Sequence, residues 1–112
     1  MSNLVFLPAY RIAQGIRDRT FSAVEVLEAY LAWITKHNLK LNAIATLDEA
    51  RARTRAKEAD EALARGEVWG ALHGVPITVK DALETEGLRT TCNYLPLANY
   101  VPQQDAIAVA RL

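Results

Sequence analysis

Nine residues, His73-Gly74-Val75-Pro76-Ile77-Thr78-Val79-Lys80-Asp81, constrain the fold more tightly than any other part of this 112-residue chain. From Val75 to Val79 the run is apolar without alternation. That pattern predicts a strand covered on both faces. Lys80 closes the strand. A lysine at the end of an apolar run has two physical readings. In one, its stem packs and its ammonium snorkels into water, which burial statistics favour. In the other, the amine is desolvated. Burial disfavours the ammonium form, and a neutral lysine can take a proton from a serine hydroxyl and return it to a leaving amine. Gly74 and Pro76 suit a rigid start to the strand. Asp81 either holds a site or caps the following turn. Spacing leaves these alternatives open. No serine follows Ser22, so a nucleophile for such an amine is not among the residues beyond it.

Helical periodicity dominates the first half. Pro8 fits the first turn of a helix running to about Arg19, with Ile12 and Ile16 on one face and Gly15 weakening it. Ser22-Ala23-Val24-Glu25 has the form of a capping box. A second helix follows to about Lys36, with Val24, Leu27, Leu31 and Ile34 as its buried stripe, Trp33 and Tyr30 beside it, and Asn38 at C′. Leu41 to Leu47 reads as a brief strand or extended link. Asp48 then caps a third helix, Glu49 to Arg65, stopped by Gly66. Its apolar stripe is Ala52, Ala56, Ala59 and Leu63, with Lys57–Glu61 and Glu61–Arg65 as i,i+4 pairs. Trp69 and Leu72 are expected to be buried. Gly87 marks a turn, Thr90-Thr91-Cys92 a short extended piece, and Pro96 and Pro102 bracket a loop carrying Tyr94 and Tyr100. Asp105 caps a last helix, Ala106 to Leu112. That helix is too short to be stable alone, and Ile107 and Leu112 await a packing partner. The chain therefore reads as the front of a larger fold.

Bulk properties narrow the function classes. Thirteen basic and thirteen acidic side chains give zero net charge, which argues against broad electrostatic capture of nucleic acid or anionic membrane. No apolar run approaches the ~18 residues of a membrane span, and residues 1–8 lack the basic n-region of a secretory signal. A lone cysteine, Cys92, forms no internal disulfide and suits a cytoplasmic setting. His37 and His73 have no cysteine or carboxylate at ligand spacing, so no metal is expected. Cys92 and His73 could suggest a thiol hydrolase, but a small buried thiol is the simpler account. Arg51, Arg53, Arg55 and Lys57 could suggest an RNA patch. Steps of two residues scatter them around a helix, and Glu58, Asp60 and Glu61 follow, as on a solvated face. A non-catalytic module binding through helices 22–36 and 49–65 is the alternative of another class.

Gly74-Val75-Pro76-Ile77-Thr78-Val79-Lys80-Asp81 resembles the amidase signature family. The shared order covers nearly the whole chain: the capped helix with Ser22 and Glu25, Leu41-Asn42-Ala43, an alanine- and charge-rich helix, Leu72-His73-Gly74, the lysine strand, Gly87-Leu88-Arg89-Thr90-Thr91, and Asp105-Ala106. The resemblance implies an α/β fold, a mixed sheet flanked by helices, of which residues 1–112 are the N-terminal part of a single domain, mainly helical with a short strand at 75–80. It implies hydrolysis of a small linear amide by a Ser–cis-Ser–Lys triad without cofactor. Lys80 is the terminal base, and Gly74, Pro76 and Asp81 are structural support. Both serines belong to a glycine- and serine-rich segment beyond Leu112, so the 112 residues alone are expected to be inactive. The remaining C-terminal part, or a second copy in a homo-oligomer, is the expected partner, with no membrane involved. The family also holds a tRNA-linked amidotransferase branch, in which one component releases ammonia from glutamine for another. Ala82, where many members carry asparagine, weighs against that branch. Asn93 stands where glycine is common, and asparagine too tolerates positive φ.

Overall fold

The computed structural model describes residues 4–112, which group into two compact units. One holds the residues up to Ala43 together with Glu49–Pro76, and the other holds Ile44–Asp48 with Ile77–Leu112. The first is helical. A 3-10 turn at Leu4–Phe6 precedes α1 (Ala9–Arg17), α2 (Ala23–Leu41) and α3 (Glu49–Ala64). Its core is built from Ile12 and Ile16 of α1, Val26, Leu27 and Leu31 of α2, and Ala56 and Ala59 of α3. The alanines of α3 let its backbone approach α2 closely. The buried face of α2 also takes in Ala23, while Val24 and Ile34 of the expected stripe are only partly buried.

The start of α2 joins the helices together. A helix leaves its first four N–H groups without intrahelical partners. Here all four are satisfied. The Ser22 N–H donates to Glu25 Oε2 (2.8 Å), and the Glu25 N–H donates to Ser22 Oγ (3.0 Å), which completes the expected capping box. The Ala23 and Val24 N–H groups donate to the two carboxylate oxygens of Asp60 on α3, at 2.7 and 3.1 Å. A negative charge at a helix N-terminus also meets the positive end of the macrodipole. Asp60 is thus a tertiary cap, although its place in the charge pattern suggests only a solvated face.

Helix ends differ from the periodicity in instructive ways. α1 stops at Arg17 because Arg19 turns left-handed (φ +57°), with the Arg19 N–H on the Ile16 carbonyl and the Thr20 N–H on the Gly15 carbonyl. This is a Schellman motif with arginine where glycine is usual. The Arg19 guanidinium donates to the Leu63 carbonyl (2.9 Å) in the last turn of α3. Gly15 makes room for a ring, since a Cβ there would lie 2.2 Å from Phe21 Cζ. α2 continues past Lys36 to Leu41. Asn38 is inside it, and the left-handed residue that ends it is Asn42 (φ +47°). Nothing between Lys36 and Leu41 breaks a helix, so propagation wins. α3 stops as expected at Gly66 (φ +84°). It carries ion pairs of Arg53 with Glu49 and Glu28, and of Arg55 with Glu58, and of the two expected i,i+4 pairs Glu61 acts on Arg65 through its charge.

The second unit is held by loops. Among the described residues it has no strand, only one bridge (Thr85–Leu88), a 3-10 turn at Leu95–Leu97 and α4 (Ile107–Ala110). The strand expected at 75–80 does not form. No backbone N–H from Ile77 to Lys80 donates to a backbone carbonyl among the described residues, and Ile77 is 50% exposed. A strand exists only through its neighbour, and the run finds none here. Leu41–Leu47 is likewise no strand. Thr90–Cys92 does not run straight through, because Cys92 and Asn93 both turn left-handed (φ +52° and +51°) in a tight turn closed by the Tyr94 N–H on the Thr91 carbonyl. Asp105 does not cap α4. Its carboxylate accepts from the Glu86 N–H (2.7 Å), and Ala106 is the N-cap, without a side-chain bond. Trp69 and Leu72, expected to be buried, are 44% and 42% exposed. Trp69 is instead covered on one face by the Arg55 guanidinium, 4.0 Å from the ring centroid.

The shared cap makes a prediction. Asp60→Ala should lower the unfolding free energy by about 2 kcal/mol, since two backbone donors lose a charged acceptor, and Asp60→Asn should lower it less. Denaturant titration followed by helical circular dichroism measures both. An Asp60→Ala chain as stable as the parent would contradict the role given to this carboxylate.

Candidate active site

The lysine run is split between the two units at Pro76–Ile77, so Gly74 and Pro76 belong to one and Lys80 and Asp81 to the other. In the first, residues 72–75 form a tight turn, with the Val75 N–H on the Leu72 carbonyl (3.0 Å) and Gly74 at φ +73°. Glycine is demanded twice over. The left-handed conformation disfavours a side chain, and a Cβ at Gly74 would lie 2.9 Å from Ala23 Cβ and 3.3 Å from Ile16. His73 is buried beside it. Its Nδ1 accepts from the Trp69 N–H (3.1 Å), so Nε2 carries the proton and donates to the Ala59 carbonyl (2.9 Å). Both ring nitrogens are thus engaged by backbone. His73 anchors the 69–75 loop to α3, and it is not available as a base for Cys92, which is exposed and lies in the other unit.

In the second unit, Lys80 is exposed and makes no ion pair or side-chain hydrogen bond among the described residues. The desolvation that a basic amine requires is therefore not provided by these residues. Its carbonyl accepts from the Leu83 N–H (3.0 Å). Asp81, next in sequence, is far more constrained. Its Oδ1 accepts from the Thr91 N–H (2.8 Å), its Oδ2 accepts from the Thr91 hydroxyl, and its carbonyl accepts from the Cys92 N–H (2.6 Å). The Asp81 carboxyl is held below its ordinary value, chiefly by the Thr91 hydroxyl, then by the Thr91 N–H, with smaller help from the positive charges of Arg89 and Lys80. The turn that presents Thr91 needs Cys92 and Asn93 left-handed, the conformation that asparagine tolerates. Of the two readings that spacing left open for Asp81, capping the next turn is not the geometry found, because the carboxylate reaches ten residues ahead. Thr91 was invisible as its partner, since nothing in a single threonine announces a contact across that separation.

Two outcomes follow from this geometry. Gly74→Ala should cost at least ~2 kcal/mol, combining left-handed strain with overpacking against Ala23, and thermal melting reads it directly. Because Asp81 has a lowered value in the fold, its contribution is present above about pH 4 and is lost as the pH falls through the folded value. The Thr91 amide resonance should therefore shift on acidification below about pH 4, and Thr91→Val should weaken that dependence.

Comparison with known proteins identifies the family. The family model described as Amidase matches residues 25–112. The chain is 40% identical over 109 residues to the A subunit of glutamyl-tRNA(Gln) amidotransferase from Carboxydothermus hydrogenoformans, covering 97% of this chain and 22% of that protein. It is 42% identical over 101 residues to the protein of the same name from Pseudomonas fluorescens, covering 90% of this chain and 21% of the other. One chain of a solved structure, described as "An unexpected vestigial protein complex reveals the evolutionary origins of an s-triazine catabolic enzyme", superposes with a TM-score of 0.87 and 31% identity, covering 93% of this chain and 23% of that one. This chain thus spans 22% of the length of the Carboxydothermus hydrogenoformans protein. On a match that runs through α2, α3, the lysine run and the Asp81–Thr91 clamp, the chain belongs to the Amidase family.

Proposed function

We propose that residues 1–112 are the N-terminal part of an enzyme that hydrolyses the carbon–nitrogen bond of a linear amide, with Lys80 as the terminal base of a Ser–cis-Ser–Lys triad. The observation that carries the reading is the family match over residues 25–112, a span that includes the run Gly74–Asp81, whose resemblance to the family assigns the base to Lys80. In this reading a serine hydroxyl attacks the amide carbonyl. Its proton passes through the bridging serine to the neutral Lys80 amine and then to the departing nitrogen, and water releases the acyl group as carboxylate. The two serines and the backbone donors for the oxyanion come from chain outside these 112 residues. The same chain supplies the neighbours that turn residues 75–80 into a strand of a mixed sheet and take Lys80 out of water. The chemistry calls for no metal.

A second reading has its own support. The relatives named above are components of glutamyl-tRNA(Gln) amidotransferase. In that role the amide is glutamine, and the ammonia passes to a partner protein. Ala82 weighs the other way. Hydrolysis of simple carboxamides without any partner favours the first reading. Glutaminase activity that appears only with the partner proteins and acceptor tRNA favours the second.

In the complete polypeptide bearing these residues, Lys80→Ala should reduce kcat/KM for amide hydrolysis by ~10²–10⁴-fold, the range of a lost general base. A loss of only a few-fold would remove Lys80 from the mechanism. Residues 1–112 alone should show no turnover, and serine-inhibitor-sensitive hydrolysis by that purified piece would refute the assignment.

A further inference from the structure

Lys80 is the only residue of the proposed triad in this chain. Among the described residues its side chain has no partner, while the residue after it is bound on three sides. Upstream, the backbone N–H groups of Ile77 to Lys80 donate to no backbone carbonyl among the described residues. Downstream, Lys80 is tied through its own carbonyl to Leu83, and Asp81 is tied through its carbonyl to Cys92 and through both carboxylate oxygens to Thr91. Within the second unit, then, the Asp81–Thr91 contact fixes the backbone from which the lysine side chain departs. It also settles where a negative charge sits. An unengaged carboxylate one residue from Lys80 could swing to the ammonium, pair with it and hold it protonated, which is the wrong state for a base. No ion pair joins Lys80 and Asp81 among the described residues, and each oxygen of Asp81 accepts from Thr91. The other charged group acting on Asp81 is Arg89, which draws the carboxylate without competing for Thr91.

We infer that Thr91 is a positioning residue for the Lys80 base, its N–H and hydroxyl holding the Asp81 carboxylate off the neighbouring amine and pinning the chain that follows it. The inference rests on the reading of Lys80 given above and adds a residue to it. Thr91 touches neither the amine nor substrate. It acts through Asp81. Serine at this position keeps the hydroxyl and should serve, whereas valine keeps the shape and loses the donor.

The test is the pH profile of kcat/KM for the complete polypeptide on a small carboxamide, with four variants. Lys80→Ala comes first, and near-parental activity there would sink the base assignment itself rather than the role of Thr91. With Lys80→Ala inactive, Thr91→Val should move the acidic limb to higher pH by about one unit, because the freed carboxylate favours the ammonium form. Thr91→Ser should leave the limb in place. Asp81→Asn keeps an acceptor for Thr91 and removes a charge already held off the amine, so it should move the limb to lower pH by much less than Thr91→Val moves it up, and an equal downward shift would overturn the inference. A merely structural contact would lower the melting temperature or the plateau rate without moving the limb. A folded Thr91→Val enzyme with an unmoved limb overturns the inference. Should Thr91→Val fail to fold, Thr91→Ala takes its place, with the same upward shift expected and an unmoved limb overturning the inference equally.

Discussion

The Asp60 carboxylate on α3, bonded to the first two N–H groups of α2, is the contact on which the helical unit depends. Most helical stability in proteins comes from tertiary contacts rather than from intrinsic propensity. Asp60 supplies such a contact at the point where α2 has most need of one. It fixes the register of α3 along α2, and the alanines at 56 and 59 then meet Val26, Leu27 and Leu31 at close range. That packing in turn creates the surface on which Gly74 sits, against Ala23 and Ile16, and the carbonyl of Ala59 to which His73 is anchored. The loop leading to the lysine run is therefore positioned by a chain of contacts that begins at one helix N-terminus.

The second unit follows a different logic. Ile77, Leu95 and Ile107 are at least half exposed, so little apolar burial supports it. Hydrogen bonds between distant loop segments hold it instead: Gly87 to Pro102, Thr90 to Tyr100, Ala106 to Glu84, Asp105 to Glu86, and the three bonds of Asp81. Such bonds contribute modestly each, and their value lies in fixing geometry. The backbone around Lys80 is thus fixed by turns and loop-to-loop bonds rather than by a core.

Several features could be read in advance from local rules. The capping box at Ser22 and Glu25, the glycine stop at Gly66, the alanine stripe of α3 and the left-handed tolerance of Asn93 all appear as expected, because each depends on residues within a few positions of one another. Several misplaced features depend on partners far along the chain. Residues 75–80 carry a strand pattern but lack a strand to pair with. Asp105 has the form of an N-cap and instead meets Glu86, nineteen residues away. Trp69 has the composition of a core residue and lies under Arg55 at the surface.

The family assignment came from the order of short motifs along the chain, the run ending in Lys80 among them, which survives without any knowledge of contacts. The environment of that lysine did not, because burial, hydrogen bonding and charge at Lys80 depend on which segments fold against it. The pairing of Asp81 with Thr91 and of Asp60 with α2 appeared only once the backbone brought residues ten and thirty-seven positions apart within bonding distance. Local pattern encodes which elements can form, whereas loop closure and packing select which polar groups meet.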